Sequence, residues 1–291
     1  MPLIMPPTRD QINRWTAEYL AEDVGRGDIT TQLVVPAEAL AVGRFVAREP
    51  LVLAGLPFVA SVFSQLGSVV VVAWGREGNH IDAKEVIAEV SGPARPMLTG
   101  ERVALNLLQH LSGVATLTRR FVDAVAGTST RIVDTRKTLP GLRALQKYAV
   151  SVGGGTNHRF ALDDGIMIKD NHIAAAGGLS AAVKAAQAGR PHLLRIELEV
   201  DSLAQLEEAL SLGVDVVLLD NMSPAQVAEA VAMAAAHGPR RPVLEASGGI
   251  TLQTVRGYAE TGVDLISVGA LTHSAVGVDI GLDLQSSVAS A

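Results

Sequence analysis

Chemistry is most concentrated between Asp134 and Ile173, in the stretch DTRKTLPGLRALQKYAVSVGGGTNHRFALDDGIMIKDNHI. From Arg136 to Arg159 it carries five Lys/Arg (Arg136, Lys137, Arg143, Lys147, Arg159) and His158, with no acid, in a chain of net charge -6. A basic island in an acidic protein suits a small anion, whereas a nucleic-acid surface needs a broadly basic domain. Arg136, Arg159 and Lys169, with His158, are the groups to hold carboxylates, the arginines through bidentate forks. Arg143 and Lys147 lie one turn apart on an expected helix over 141–151 and read as its solvated face. Glu199 and Asp220 suit a hard divalent cation such as Mg²⁺, which needs only one or two protein carboxylates beside its waters and a phosphate. Glu197 lies two residues before Glu199, on the same face of an extended strand. The turns SGGI (247–250) and SVGA (267–270) offer backbone N–H groups and room for a phosphate to approach. No His/His/carboxylate spacing suggests zinc. GGG at 153–155 matches neither a dinucleotide-binding fingerprint nor a P-loop.

These residues need a scaffold that brings distant segments together. From residue 131 six short apolar runs recur: 131–135, 166–170, 193–200, 215–221, 242–249 and 265–270. Helical patterns over 179–189, 201–212, 223–237 and 251–261 separate the last five. Continuous β-branched runs alternating with helices predict buried parallel strands, and an incomplete α/β barrel of about six strands. The active site of such a barrel gathers at the C-terminal ends of its strands. Taken in order, those ends carry Arg136 and Lys137, then Lys169 and Asp170, then Glu199, then Asp220, then Ser247-Gly248-Gly249, then Gly269-Ala270. Cations leave the first two strands, carboxylates the next two and small residues the last two. Phosphate commonly sits on the loops after the final two strands.

The earlier part of the chain predicts a separate α+β domain. Thr8 and Gln11 fit a capping box that opens a helix over 8–21, with Ile12, Trp15, Tyr19 and Leu20 on one face. EDVGRGDITT (22–31) reads as a loop, and four apolar segments between 41 and 90 read as strands and short connections. Thr99 is placed to cap a long helix whose stripe runs through Val103, Leu107, Leu108, Leu111, Val114 and Leu117. Arg102 then falls in the first turn, where a cation opposes the helix dipole. It is either an ordinary solvated arginine or one set there for an anion.

Composition removes several function classes. Aromatic residues make up 3% of the 291, too few for base-stacking platforms. The chain has no cysteine, hence no disulfide, thiolate metal site or Cys nucleophile. The start MPLIMPPTRDQ lacks the pattern of a signal peptide, and no apolar run approaches the roughly 18 residues of a membrane span. A soluble, cytoplasmic protein with no nucleic-acid or membrane partner is expected.

DTRKTLPGLRALQKYAV, GGGTNHRFALDDGIMIKDNHI, LLDN and EASGGI together resemble quinolinate phosphoribosyltransferase, the carboxylating nicotinate-nucleotide pyrophosphorylase family. EDVGRGDITT and GERVALN around Arg102 extend the resemblance over nearly the whole chain. It implies the type II phosphoribosyltransferase fold: an N-terminal α/β sandwich over 1–112, completed by 274–291, and an open barrel over 113–273. It implies decarboxylating transfer from phosphoribosyl pyrophosphate (PRPP) to quinolinate in de novo NAD biosynthesis, giving nicotinate mononucleotide, pyrophosphate and CO₂. Arg136, His158, Arg159 and Lys169 would bind the quinolinate carboxylates, and Arg102 would reach in from the second protomer of a homodimer. Lys137 would contact PRPP, and Glu199 and Asp220 would serve Mg²⁺ or the ribose hydroxyls. Ser247, Gly248, Gly249, Gly269 and His273 would hold the 5′-phosphate. Three rivals remain at this stage: a related phosphoribosyltransferase of molybdenum-transport operons acting on another acid, a Schiff-base aldolase using Lys137 or Lys169, and a non-catalytic dicarboxylate-binding protein.

Overall fold

A computed structural model describes residues 6–286. The opening MPLIM and the last five residues of the expected 274–291 completion lie outside that span. In chain order the elements are α1 (Arg9–Val24), α2 (Ile29–Val34), β1 (Leu40–Ala47), β2 (Leu51–Val52), α3 (Leu56–Leu66), β3 (Val70–Ala73), β4 (His80–Ile81), β5 (Val86–Pro93) and α4 (Ala94–Ala124). Then follow β6 (Arg131–Val133), α5 (Arg143–Val152), β7 (Ile166–Ile168), α6 (Asp170–Ala176), α7 (Leu179–Gly189) and β8 (Ile196–Val200). The chain continues through α8 (Leu203–Leu212), β9 (Val216–Asp220), α9 (Pro224–Ala236), β10 (Val243–Ser247), α10 (Val255–Ala259), β11 (Leu265–Ser267), α11 (Ala270–His273) and β12 (Ile280–Ser286). Two compact units result, with the division inside α4. One unit gathers the chain up to Arg119, Ala144–Gly154 and the chain from Ser274 onward; the other holds Arg120–Arg143 and Gly155–His273.

The first unit is built on an antiparallel sheet in the order β12-β1-β5-β3. Phe45 on β1 packs against Phe63 on α3, ring centres 6.2 Å apart, and both are fully buried. Phe58, also on α3, lies between Trp15 and Tyr148. The glycine before α3 has no side chain to cap the helix, and Glu77 does so from a distant turn. Its carboxylate accepts from Gly55 N (2.9 and 3.0 Å), Leu56 N (2.8 Å) and the Tyr148 hydroxyl (2.7 Å). That substitutes for an N-cap and satisfies donors every helix start leaves open.

Four local expectations change. The capping box of Thr8 and Gln11 is present, but α1 runs on to Val24, and Asp28 caps the six-residue α2 through Thr31 N (2.9 Å). Only four residues of the expected loop over 22–31, Gly25 to Asp28, lie between the two helices. Residues 56–66 form α3 where only strands and short connections were expected. Helix α4 begins at Ala94, five residues before Thr99, whose hydroxyl donates instead to Asp28 Oδ2 (3.2 Å). Pro96 in the first turn blocks nothing there, because N–H groups at a helix start have no intrahelical partner. Arg102 therefore sits in the third turn, exposed, away from the positive end of the helix dipole. Lys147, expected on a solvated face, is buried at 3% exposure.

The second unit is the expected open barrel. Six parallel strands lie in the order β6-β11-β10-β9-β8-β7, so the first strand pairs with the last and the gap falls between β6 and β7. Each sequence-derived strand is present, trimmed by two or three residues. The free edge of β6 is not left open. Thr156 runs parallel to it, with Thr156 N donating to Ile132 O (2.8 Å) and Asp134 N to Thr156 O (3.0 Å). That strap carries the basic motif's second half, Asn157-His158-Arg159, to the barrel mouth.

Candidate active site

Strand alternation builds the site in two tiers. On β8 Glu197 and Glu199 share a face, and on β10 Glu245 and Ser247 share one. Registry places Ser247 opposite Asp220 on β9. The upper tier is therefore Glu199, Asp220 and Ser247 at the strand ends, with Glu197 and Glu245 one layer deeper. Arg136, Lys137, His158, Arg159 and Lys169 line one cavity of about 290 Å³ with Glu199, Asp220, Glu245 and Ser247. Cations from the early strands and small residues from the late ones thus meet around a single space.

The remaining sequence-derived residues lie where the phosphate loops were expected. Gly248 has φ +98°, and a Cβ there would come within 2.2 Å of Asn221 Oδ1 and 2.8 Å of Asn221 N. Only glycine fits this close crossing of two strand-end loops. A Cβ on Gly269 would meet Lys137 Cδ at 2.9 Å and His273 Nε2 at 3.2 Å, so these three share one corner. Gly249 follows Gly248 and is exposed. Arg102 belongs to the other unit.

The two arginines are poised rather than paired. The buried Nε atoms of Arg136 and Arg159 have no hydrogen-bond partner. Arg159 is anchored by its Nη1 to Gly165 O (2.9 Å), and its Nη2 reaches Met167 Sδ (3.5 Å). Burial and then the charge of Arg136 hold its pKa below the usual guanidinium range. Two neighbouring guanidinium groups with buried donors unspent form a receptor for an anion. Lys169 is engaged with Glu199 Oε2. Asp220 lends Oδ2 to the Asn221 amide (2.7 Å). Arg143 takes no part in the cavity. It ties the loop together through Thr138 Oγ1 (3.0 Å) and Phe160 O (3.2 Å).

His158 lines the cavity, yet both ring nitrogens face protein. Nδ1 accepts from Arg159 N (2.7 Å), and Nε2 lies 3.0 Å from Glu197 Oε2 and 3.8 Å from Glu245 Oε1. Beneath it the fully buried Asp134 accepts from His158 N (2.8 Å) and Asn157 Nδ2 (2.6 Å). Sequence reasoning missed Asp134, Asn157, Ser267 and Glu245. The strand period could have found Glu245, two residues before Ser247 and hence on its face.

Known proteins resemble this chain over nearly its whole length. The family model described as "Quinolinate phosphoribosyl transferase, N-terminal domain" matches residues 28–112, and the one for the C-terminal domain matches 114–283. A Mycobacterium leprae protein named nicotinate-nucleotide pyrophosphorylase [carboxylating] is 47% identical over 280 residues, covering 95% of this chain and 96% of that protein. The crystal structure of NadC from Streptococcus pyogenes superposes with TM-score 0.92 at 40% identity, over 97% of this chain and 99% of that one. The nicotinate-nucleotide pyrophosphorylase of Francisella tularensis gives 0.89 at 37% identity, again over 97% and 99%. With the two family models lying end to end over the two halves of the site-bearing chain, this protein belongs to the quinolinate phosphoribosyl transferase family.

Proposed function

We infer that this protein transfers the phosphoribosyl group of PRPP to quinolinate, with loss of CO₂, giving nicotinate mononucleotide and pyrophosphate for NAD biosynthesis. Family membership supports the reaction. The observation that carries it on this chain is the pair Arg136 and Arg159, with buried, unspent Nε donors over one cavity. Together with Lys169 they take the two carboxylates of quinolinate, and His158 holds Arg159's backbone from beside. Lys137 meets PRPP, while Ser247, Gly248, Gly249, Gly269 and His273 take its 5′-phosphate. Arg102, exposed on α4, completes the carboxylate site from the second protomer of a homodimer working in the cytoplasm. Among the described residues no helix is long and apolar enough to cross a membrane.

The donor set fits Mg²⁺. Glu199 and Asp220 present carboxylate oxygens on adjacent strands in the same cavity, and in each the contact made through Oε2 or Oδ2 leaves the other oxygen to a ligand. When bound, Mg²⁺ would stabilise the charge developing on the pyrophosphate. The chain's own residues position two anions against each other, and the same carboxylates tolerate positive charge growing at ribose C1. The Glu199 contact also weighs against a Schiff-base lysine, since it engages the Lys169 Nζ that would have to attack a carbonyl.

The test is incubation with carboxyl-labelled quinolinate, PRPP and Mg²⁺. Labelled CO₂ and nicotinate mononucleotide should form only with PRPP present. Turnover of another acid but not quinolinate would transfer the protein to a related phosphoribosyltransferase. Tight quinolinate binding with no pyrophosphate release would make it a dicarboxylate-binding protein.

A further inference from the structure

The deeper tier of the cavity holds groups that anion binding does not use. Glu245 is 1% exposed and Glu197 7%, and the Oε1 atom of each is buried without a hydrogen bond. With His158 Nε2 their oxygens lie within 4.8 Å of one another, a spacing that could also hold a metal ion. The histidine tautomer decides between the two. A ligating Nε2 must be bare, with the proton on Nδ1. Here Nδ1 accepts the Arg159 N–H, so the ring proton is on Nε2 and points at Glu197. The triad is therefore built to hold protons.

The proton count follows from charge. His158 Nε2 lies 3.0 Å from Glu197 Oε2 but 3.8 Å from Glu245 Oε1, so its single N–H relieves only one of the two carboxylates. Asp134, fully buried below, adds a further negative charge. Arg136, Arg159 and Lys169 line the same cavity, but the incoming dicarboxylate needs them, and Lys169 already has Glu199. Glu199 and Asp220 above are acidic as well. Two ionised carboxylates cannot share so small a dry space, and one keeps its proton. Burial first, then the charge of Glu197, pushes the Glu245 carboxyl up to about 7.

Resting on the activity proposed above, we propose that Glu245 is the acid that puts a proton on ring carbon 2 in place of the departing CO₂. It lines the cavity assigned above to quinolinate, one strand layer below Ser247. The electron balance is complete. The bond from carbon 2 to the carboxylate breaks, and its electron pair stays on carbon 2 beside the cationic ring nitrogen. That pair takes the proton from the Glu245 carboxyl, forming C–H and leaving Glu245 as carboxylate. Solvent returns the proton after product leaves. Until then, the acid can hydrogen-bond the carboxylate about to depart, which an ionised Glu245 would repel.

Glu245→Gln separates the steps, because the amide copies the neutral acid in shape and cannot give up a proton. In single turnover with PRPP, Mg²⁺ and quinolinate, pyrophosphate should form within a few-fold of the unaltered protein. Nicotinate mononucleotide should form about 10²- to 10⁴-fold more slowly, the span of general acid catalysis. Quinolinate mononucleotide should accumulate, as trapped CO₂ returns to the unprotonated carbon. Equal loss of pyrophosphate and product in a folded variant would overturn the assignment, as would product formation at the unaltered rate. If the variant does not fold, the unaltered protein decides. Product formation should slow in D₂O while the pyrophosphate burst does not, and absence of that difference overturns the proposal. Stoichiometric Mn²⁺ or Zn²⁺ retained by the unaltered protein and lost in Glu245→Gln would make the triad a metal centre instead. Failure of the unaltered protein to release pyrophosphate from PRPP and quinolinate would strike at the proposed activity, not at the role of Glu245.

Discussion

The two ends of the barrel use the same side chains for opposite purposes. At the N-terminal ends of the strands, Arg241 makes a two-pronged bridge to Asp264, 2.7 and 2.8 Å, and Asp264 also accepts from Leu244 N (2.8 Å). Arg190 meets Asp215 (2.6 Å), which accepts from Ile196 N (2.8 Å). Both aspartates close a Gly-Val-Asp run, 213–215 and 262–264, immediately before a strand. At the C-terminal ends, Arg136 and Arg159 have no such carboxylate, and their buried Nε donors are unspent. Asp264 is held below the usual carboxylate range although burial pushes it up, and Arg241 is raised first by its bond to Asp264. Arg159 is shifted the other way. A guanidinium that lowers its own energy within the chain is structural. One left waiting carries a cost that only a ligand removes.

Breaking the waiting end should give the largest effect. The double substitution Arg136→Ala with Arg159→Ala removes at least two charge-assisted contacts at about 1.5–3 kcal/mol each. Quinolinate use should fall roughly thousandfold in kcat/KM. PRPP binding by calorimetry should change little, and the melting temperature should hold or rise, since mutual repulsion goes too. Equal loss of PRPP and quinolinate affinity would erase the division drawn between the two subsites.

The acid pair offers a pH test of the same contrast. From the usual 4.5 to about 7, folded Glu245 holds a proton that the unfolded chain has released. Stability from this group is therefore full below pH 4.5 and declines as pH rises through 7. Relative to Glu245→Gln, the unaltered protein should lose on the order of 3 kcal/mol between pH 5 and pH 8. Urea unfolding of both proteins at the two pH values measures it. Asp134, Glu197 and His158 stay in both proteins, so the difference isolates Glu245. A difference that stays flat with pH means the carboxyl is ionised throughout.

How much of this was legible depended on where each residue sits relative to a boundary. Strand ends are visible because polarity changes abruptly there, and Lys169, Glu199 and Asp220 stand at such steps. Glu245 lies inside an apolar run, Val243-Leu244-Glu245-Ala246, where a single acid looks like an irregularity. Its role depends on His158 and Glu197, 87 and 48 positions earlier in the sequence, and no local pattern records that contact. Lys147 misled for a related reason: the helix-surface rule treats lysine as solvated, and tertiary packing buried it. Helix α4 began early because Pro96 reads as a breaker in sequence but is harmless in a first turn. The short helices α2 and α6 are too brief to establish a period.

At the satisfied end, effects should appear in stability and not in turnover. Asp264→Ala removes both prongs of the bridge and leaves Leu244 N without its acceptor. The pair is about one-third exposed, at 34% and 28%, so solvent screening reduces its worth. About 2 kcal/mol remains, mostly from the stranded N–H and the lost geometry. That lowers the melting temperature by roughly 4–8 °C for a protein of this size. The kcat of the folded fraction should not move.

Asp215→Ala is the finer version of that test. Arg190 reaches Asp215 through one nitrogen, and the same oxygen, Oδ2, serves Ile196 N. One oxygen serving two donors cannot suit both as well as the two oxygens of Asp264 suit three. The pair is similarly exposed, at 32% and 34%, so screening is no weaker. The loss should be about 1 kcal/mol, half that at Asp264, read as a smaller shift in the urea midpoint with unchanged slope. If Asp215→Ala costs as much as Asp264→Ala, bridge geometry is not what stabilises this end. The backbone acceptors would then be the common cause, and Asp→Asn at each site, which keeps an acceptor and removes the charge, would leave both stabilities nearly intact.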